Sequence, residues 1–199
     1  LEVMGRHAGW LAASAGVIKN ISGDPPHIIL FPEVMFKEKI FLKKVKEVTD
    51  RYGYCVIVAS EGIKNGKNKF LSDSGLKDSF GHSQLGGVAP IISSLITTNL
   101  KYKVHWAVSD YLQRAARHIG SKVDVDQAYS LGCKAISYAK NNISNVMLTI
   151  KDNSSKKNYK WSISHTNLDK VANIEKMLPK NFIKNNGFEI SRSCKNYIL

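Results

Sequence analysis

The chain has 199 residues, enough to bury a core as one large domain or parts of two, and its 43% hydrophobic and 23% charged residues are a normal globular balance. No apolar run is long enough for a membrane-spanning helix and no secretory signal is expected, so a membrane partner is not expected. Three widely spaced cysteines, Cys55, Cys133 and Cys194, argue against a disulfide framework or a zinc site and for a reducing, cytoplasmic compartment. The net charge of +13 comes from lysines scattered over predicted helices and loops, without interleaved aromatics. Solvated faces account for it, with a field attracting phosphate-bearing small substrates as the alternative. No nucleic-acid motif accompanies it, so a nucleic-acid partner is not expected.

In chain order, residues 7–19 read as a helix with Leu11, Ala15 and Ile18 on one face. His27–Phe31 reads as a buried strand ending at Pro32. Residues 37–51 are an amphipathic helix carrying Ile40, Val45 and Val48, and Tyr54–Ala59 is a second buried strand. Residues 62–79, rich in Gly, Lys, Asn, Ser and Asp, read as a long exposed loop. A helix over 84–100 carries Ile91, Ile92, Leu95 and Ile96. Lys103–Val108 reads as a third strand. A helix over 124–141 is capped by Asp124 and lined by Ala128, Leu131, Ala135 and Tyr138. Val146–Ile150 and Tyr159–Ile163 form a hairpin, and Asn185–Gly187 marks a turn. Strands alternating with helices predict an α/β fold, a mostly parallel sheet with flanking helices. Ligands in such sheets bind at the carboxyl ends of the strands, which puts Glu61 and Tyr111 on the ligand side.

Four segments carry candidate chemistry, each with an ordinary alternative. Met4-Gly5-Arg6 joins a backbone that can approach a ligand to a planar fork of donors suited to phosphate or sugar oxygens. It is equally the pattern of a turn with a surface arginine. Glu61, at a strand end, can accept from sugar hydroxyls or simply cap a neighbour. Phe80–Gly87 mixes a histidine with glycines ahead of a helix, as an anion site or a tight turn. Tyr111 and Arg114 sit three residues apart, on one helical face, where both can meet one phosphate. The alternative is a core tyrosine beside a surface arginine.

The order of Glu2–Trp10, Phe31–Val34, Val58–Gly62, Phe80–Gly87, Tyr111–His118 and Ser121–Tyr129 resembles the 6-phosphofructokinase family, from about residue 2 to residue 150 and weakly on to the end. The style is most like its bacterial, pyrophosphate-dependent branch. The resemblance implies a Rossmann-like phosphofructokinase fold with residues 1–150 forming the fructose 6-phosphate-binding part. Residues 151–199 would be a C-terminal extension packing on it. It implies that Met4, Gly5, Arg6 and Glu61 contact the sugar and that Tyr111 and Arg114 hold its phosphate. His105 stands where many members carry an arginine that reaches a neighbouring subunit's substrate. A neutral, buried strand histidine is the alternative there.

The implied reaction moves a phosphoryl group from pyrophosphate, or alternatively ATP, to the 1-hydroxyl of fructose 6-phosphate, giving fructose 1,6-bisphosphate in glycolysis. The family's Gly-Gly-Asp-Gly loop and Thr-Ile-Asp-Asn-Asp segment do not occur in the chain. The donor-binding N-terminal half, the catalytic base and most of the Mg²⁺ binding are therefore expected upstream, and the chain alone is expected to be inactive. A homodimer or homotetramer is implied. A non-catalytic sugar-phosphate-binding module is the alternative from another class.

Overall fold

The computed structural model describes residues 1–21, 23–77, 83–85, 87–155 and 158–199. They form two units, Leu1–Gln113 with Lys176–Leu199, and Arg114–Glu175. In chain order the elements are β1 (Glu2–Val3), α1 (Trp10–Ala15), β2 (Ile28–Leu30), α2 (Glu38–Tyr52), β3 (Ile57–Ser60), β4 (Asp73–Lys77), β5 (Ser83–Leu85), α3 (Val88–Leu100), α4 (Leu112–Ala115), α5 (Lys122–Lys140), β6 (Val146–Asp152), β7 (Trp161–Asn167) and α6 (Arg192–Ile198). The boundary expected near residue 150 falls inside the second unit, within β6.

The first unit is built on a parallel sheet of order β1-β3-β2, with Glu2 opposite Ala59 and Ile29 opposite Val58. All three residues of β2 are buried, as a parallel strand covered on both faces requires. On one face Ile28, Leu30 and Ala59 pack with Phe41 and Val45 of α2 and Val88, Ile92 and Ile96 of α3. On the other, Ile29, Phe31 and Val58 pack with Ala12 and Ala13 of α1, and with Leu178, Ile190 and Cys194. At about 25 cal/mol per Å² of apolar area, these two faces supply the main drive for folding this unit.

Several expectations shift by a residue or a face. In α2 the core residue is Phe41, fully buried, while Ile40 is 52% exposed, because 41, 45 and 48 share the face turned to the sheet. Helix α1 starts only at Trp10, and its buried face is Ala12 and Ala13, not Leu11 and Ile18, which are exposed. Small residues are needed there: a Cβ on Gly16, in the 3-10 turn that continues α1, would come within 2.9 Å of both Ile190 and Ile29. The long loop expected over 62–79 is neither wholly exposed nor wholly loop. Ile63 belongs to the core, Ser72 is buried, and Asp73–Lys77 pairs antiparallel with Ser83–Leu85. Residues 78 and 79 lie outside the described residues.

The third strand expected at 103–108 is not formed. Only Val108 bridges to Glu2, through Glu2 N–H to Ala107 O (2.9 Å) and Ser109 N–H to Glu2 O (3.1 Å). Cys55 is half-buried beside the core, and desolvation pushes its thiol up to about 11.

In the second unit, β6 and β7 form the expected hairpin, from Val146 opposite Asn167 to Asp152 opposite Trp161. Helix α5 is capped not by Asp124 but by Ser121, whose hydroxyl accepts from Asp124 N–H at 3.1 Å. Gln127 is its buried residue, donating to the Tyr159 hydroxyl at 2.7 Å. Of the four lining positions expected, Leu131 and Tyr138 are half-buried, and Ala128 and Ala135 are exposed.

His27, buried ahead of β2, accepts from Val56 N–H at its Nδ1 (3.0 Å), which leaves Nε2–H to donate to Gly23 O (3.1 Å). That network needs a neutral ring. Desolvation lowers its pKa from 6.5, the Gly23 bond opposes this, and Lys19 adds to the lowering. The unfolded state therefore takes up the proton first as pH falls. Stability should decline once pH drops below about 6.5 and level off below the depressed native value. His27→Gln keeps a donor and an acceptor without this titration. Denaturant titrations at several pH values should show a shallower acid slope for it than for the native chain.

Candidate functional site

Because β1 and β3 run parallel and adjacent, their carboxyl ends release Met4 and Glu61 side by side, with Glu61 N–H still bonded to Val3 O at 3.0 Å. The loop after β1 turns sharply at Gly5, whose φ of 139° is open to glycine alone. Three groups pin it. Glu61 Oε1 accepts from Gly5 N–H (3.2 Å), Gln113 Oε1 accepts from Met4 N–H (3.2 Å), and the Ser60 hydroxyl donates to Gly5 O. The Arg6 carbonyl then passes directly over Gly62: a Cβ there would lie 1.7 Å from that oxygen. The two strand ends are thus interlocked through their backbones.

Behind this loop, the buried Glu2 carboxylate accepts from Ala89 N–H (2.8 Å) in the first turn of α3, where a negative charge is favoured by the helix amides. Glu33, in the Phe31–Val34 segment, accepts through Oε1 from Gly9 N–H and Leu178 N–H, both at 2.9 Å. Its other oxygen is buried without a partner among the described residues. Glu33 therefore fixes the entry to α1, so the Met4–Gly9 loop is held at both ends.

A cavity of about 220 Å³ opens in front, lined by Glu2, Met4, Glu61, Gly87, Asp110 and Gln113 among others. Glu61 Oε2 has no hydrogen bond among the described residues, and neither does the half-buried Arg6 guanidinium, nor any ion-pair partner. One carboxylate oxygen and one guanidinium are thus left on the loop at the strand ends, where a polyhydroxylated anion would use both.

Met4, Gly5, Arg6 and Glu61 are brought together as expected. Tyr111 is 68% exposed and stands one residue ahead of α4, while Arg114 is an exposed residue opening the second unit. His105 is exposed, not a buried strand residue. It lines a different cleft of about 630 Å³ with Tyr54, Cys55 and Trp106. The Phe80–Gly87 motif lies largely outside the described residues. Gln113, Glu2, Glu33 and Ser60 were missed as supporting residues. The signal for Gln113 was present inside Tyr111-Leu-Gln-Arg114, but nothing in the sequence ties it to Met4.

The phosphofructokinase family profile matches residues 1–139. This chain belongs to the phosphofructokinase family. It is similar to a pyrophosphate–fructose 6-phosphate 1-phosphotransferase of Halomonas elongata, 49% identical over all of the chain and 47% of that protein. A protein of the same name from Methylococcus capsulatus is 48% identical, with the same coverage. Among solved structures, a pyrophosphate-dependent phosphofructokinase from Marinobacter aquaeolei superposes with a TM-score of 0.83 at 44% identity, covering 99% of this chain and 45% of that one. The α/β phosphofructokinase fold is therefore established. The chain spans about half the length of the relatives it matches.

The interlock makes a testable contrast between two glycines. Gly62→Ala forces the Arg6 carbonyl aside and should cost about 1–3 kcal/mol or more. Gly132→Ala, in the interior of α5 with nothing within 4 Å of the new Cβ, should gain about 0.5–1 kcal/mol. Thermal and denaturant unfolding of the two variants measure both; equal effects would show that the Gly62 crossing is not a real constraint.

Proposed function

We propose that this chain forms the fructose 6-phosphate side of a pyrophosphate-dependent 6-phosphofructokinase. The intact enzyme moves a phosphoryl group from pyrophosphate to the 1-hydroxyl of fructose 6-phosphate. The single observation that supports this best is the pinned Met4–Arg6 loop, with Glu61 Oε2 and the Arg6 guanidinium left to a ligand. The names of the relatives support pyrophosphate over ATP as donor.

In this reading Glu61 Oε2 accepts from a sugar hydroxyl, and its Oε1 stays on Gly5 N–H, so binding does not cost the loop its anchor. Arg6 supplies a charge-assisted contact to a sugar or phosphate oxygen. Tyr111 and Arg114 hold the sugar phosphate, a role carried by resemblance. In a cytoplasmic homodimer or homotetramer, His105 takes the place of the arginine that reaches a neighbouring subunit's substrate.

Among the described residues no group of three or more His, Cys, Asp or Glu is placed to hold a metal ion. No step is assigned through Mg²⁺ here. Neither Gly-Gly-Asp-Gly nor Thr-Ile-Asp-Asn-Asp occurs in the sequence, so the base and the phosphate cradle are assigned outside these residues.

Losing one charge-assisted contact costs roughly 1.5–3 kcal/mol, about tenfold to more than a hundredfold in affinity. In the complete enzyme, Arg6→Ala and Arg114→Ala should each raise the KM for fructose 6-phosphate by that factor and leave the KM for pyrophosphate nearly unchanged. The purified 199-residue chain should turn over neither substrate. Steady-state kinetics with each substrate varied decides this; a defect confined to pyrophosphate would reassign both arginines.

A further inference from the structure

The loop over residues 4–9 is fixed by backbone N–H bonds at Gly5 and at Gly9, and Arg6 lies between them. One side chain in that gap, His7, is tied to a neighbouring segment. Its half-buried ring lies nearly parallel to Phe70, with centroids 5.9 Å apart and planes 20° from each other. That separation is ordinary for an offset aromatic stack. The Lys64 ammonium lies over the same Phe70 ring, 5.1 Å from its centre.

Phe70 does not sit on a slack loop. Residues 63–71 form a short hairpin closed by a bridge between Lys64 and Phe70, by Leu71 N–H to Ile63 O (2.9 Å) and by Asn65 N–H to Lys69 O (2.9 Å). At its tip the Asn65 Oδ1 accepts from Lys67 and Lys69 N–H, at 2.9 and 3.2 Å. Its first residue, Ile63, belongs to the core, and Phe36 N–H donates to Lys64 O (2.9 Å). Buried Ser72, just beyond, donates its hydroxyl to Glu61 O at 3.2 Å. The hairpin is therefore bonded to Glu61 at its base and stacked, through Phe70, on the residue that follows Arg6. Both groups assigned to the sugar are braced by one element that carries neither of them.

We propose that His7 and Phe70 are positioning residues for sugar binding. Their stack fixes the loop backbone beside Arg6 and so sets the direction in which the guanidinium leaves it. Neither ring touches the substrate in this arrangement. This assignment rests on the fructose 6-phosphate reading of the site. A mobile guanidinium must be ordered on binding and a prealigned one need not be, so the stack acts on sugar affinity rather than on the chemical step.

The test is steady-state kinetics of the complete enzyme, with fructose 6-phosphate and pyrophosphate varied in turn. Phe70→Leu keeps apolar bulk and His7→Gln keeps hydrogen bonding, but each removes one ring. Each should raise the KM for fructose 6-phosphate about two- to tenfold and leave kcat and the KM for pyrophosphate nearly unchanged. His7→Phe restores the stack and should return the KM close to native. In an Arg6→Ala background, His7→Gln should add nothing further, because it acts through that arginine. A native KM in Phe70→Leu of native circular dichroism, a His7→Phe enzyme as weak as His7→Gln, or full additivity with Arg6→Ala would each overturn the proposal alone. A native KM for fructose 6-phosphate in Arg6→Ala itself would overturn the functional reading, and this proposal with it.

Discussion

The crossing of the Arg6 carbonyl over Gly62 is the constraint on which the candidate site depends. Two adjacent parallel strands end at the same level, and their outgoing backbones must pass within contact distance. Any side chain at residue 62 blocks that passage. Once the passage is made, Glu61 is committed to Gly5 N–H and Ser60 to Gly5 O, so one carboxylate both braces the loop and faces the cavity. The sheet core beneath, with Ala59, Val58 and Ile29 buried on its two faces, keeps the strand ends from sliding. Preorganisation of this kind lets a ligand bind without first ordering the loop.

Much of this was legible in the sequence where local pattern decides the outcome. The apolar run at 27–31, the amphipathic period of α2 and the hairpin at β6 and β7 follow from residue spacing, and the family motifs placed Met4–Arg6 beside Glu61. What was not legible depends on neighbours. Lys103–Val108 has strand composition, but a strand needs a partner, and β1 offers one only at residues 107–109. Ile63 sits in a polar, glycine-rich stretch yet is buried, because Gly62 draws the chain inward before the loop leaves the surface. Ser121 outcompeted Asp124 as a cap by standing three residues earlier, where its hydroxyl reaches the Asp124 N–H. The supporting roles of Gln113 and Glu2 are long-range hydrogen bonds, to Met4 and Ala89, and no local spacing encodes such pairs.

The net charge of +13 is not spread evenly in its consequences. Many lysines are exposed on α2 and α5, and Lys46–Asp50 and Lys122–Asp126 form surface pairs that solvent screens. The positive groups that the proposed function uses are fewer: Arg6 on the pinned loop and Arg114, which opens the second unit.

The central claim is that the pinned loop and Glu61 form the seat of the sugar. A crystal structure of the complete enzyme with fructose 6-phosphate bound tests it most directly. The account predicts a sugar hydroxyl on Glu61 Oε2, with Oε1 still on Gly5 N–H and the Met4–Arg6 loop unmoved. A sugar bound elsewhere, with Glu61 bonded only to Gly5, would contradict it.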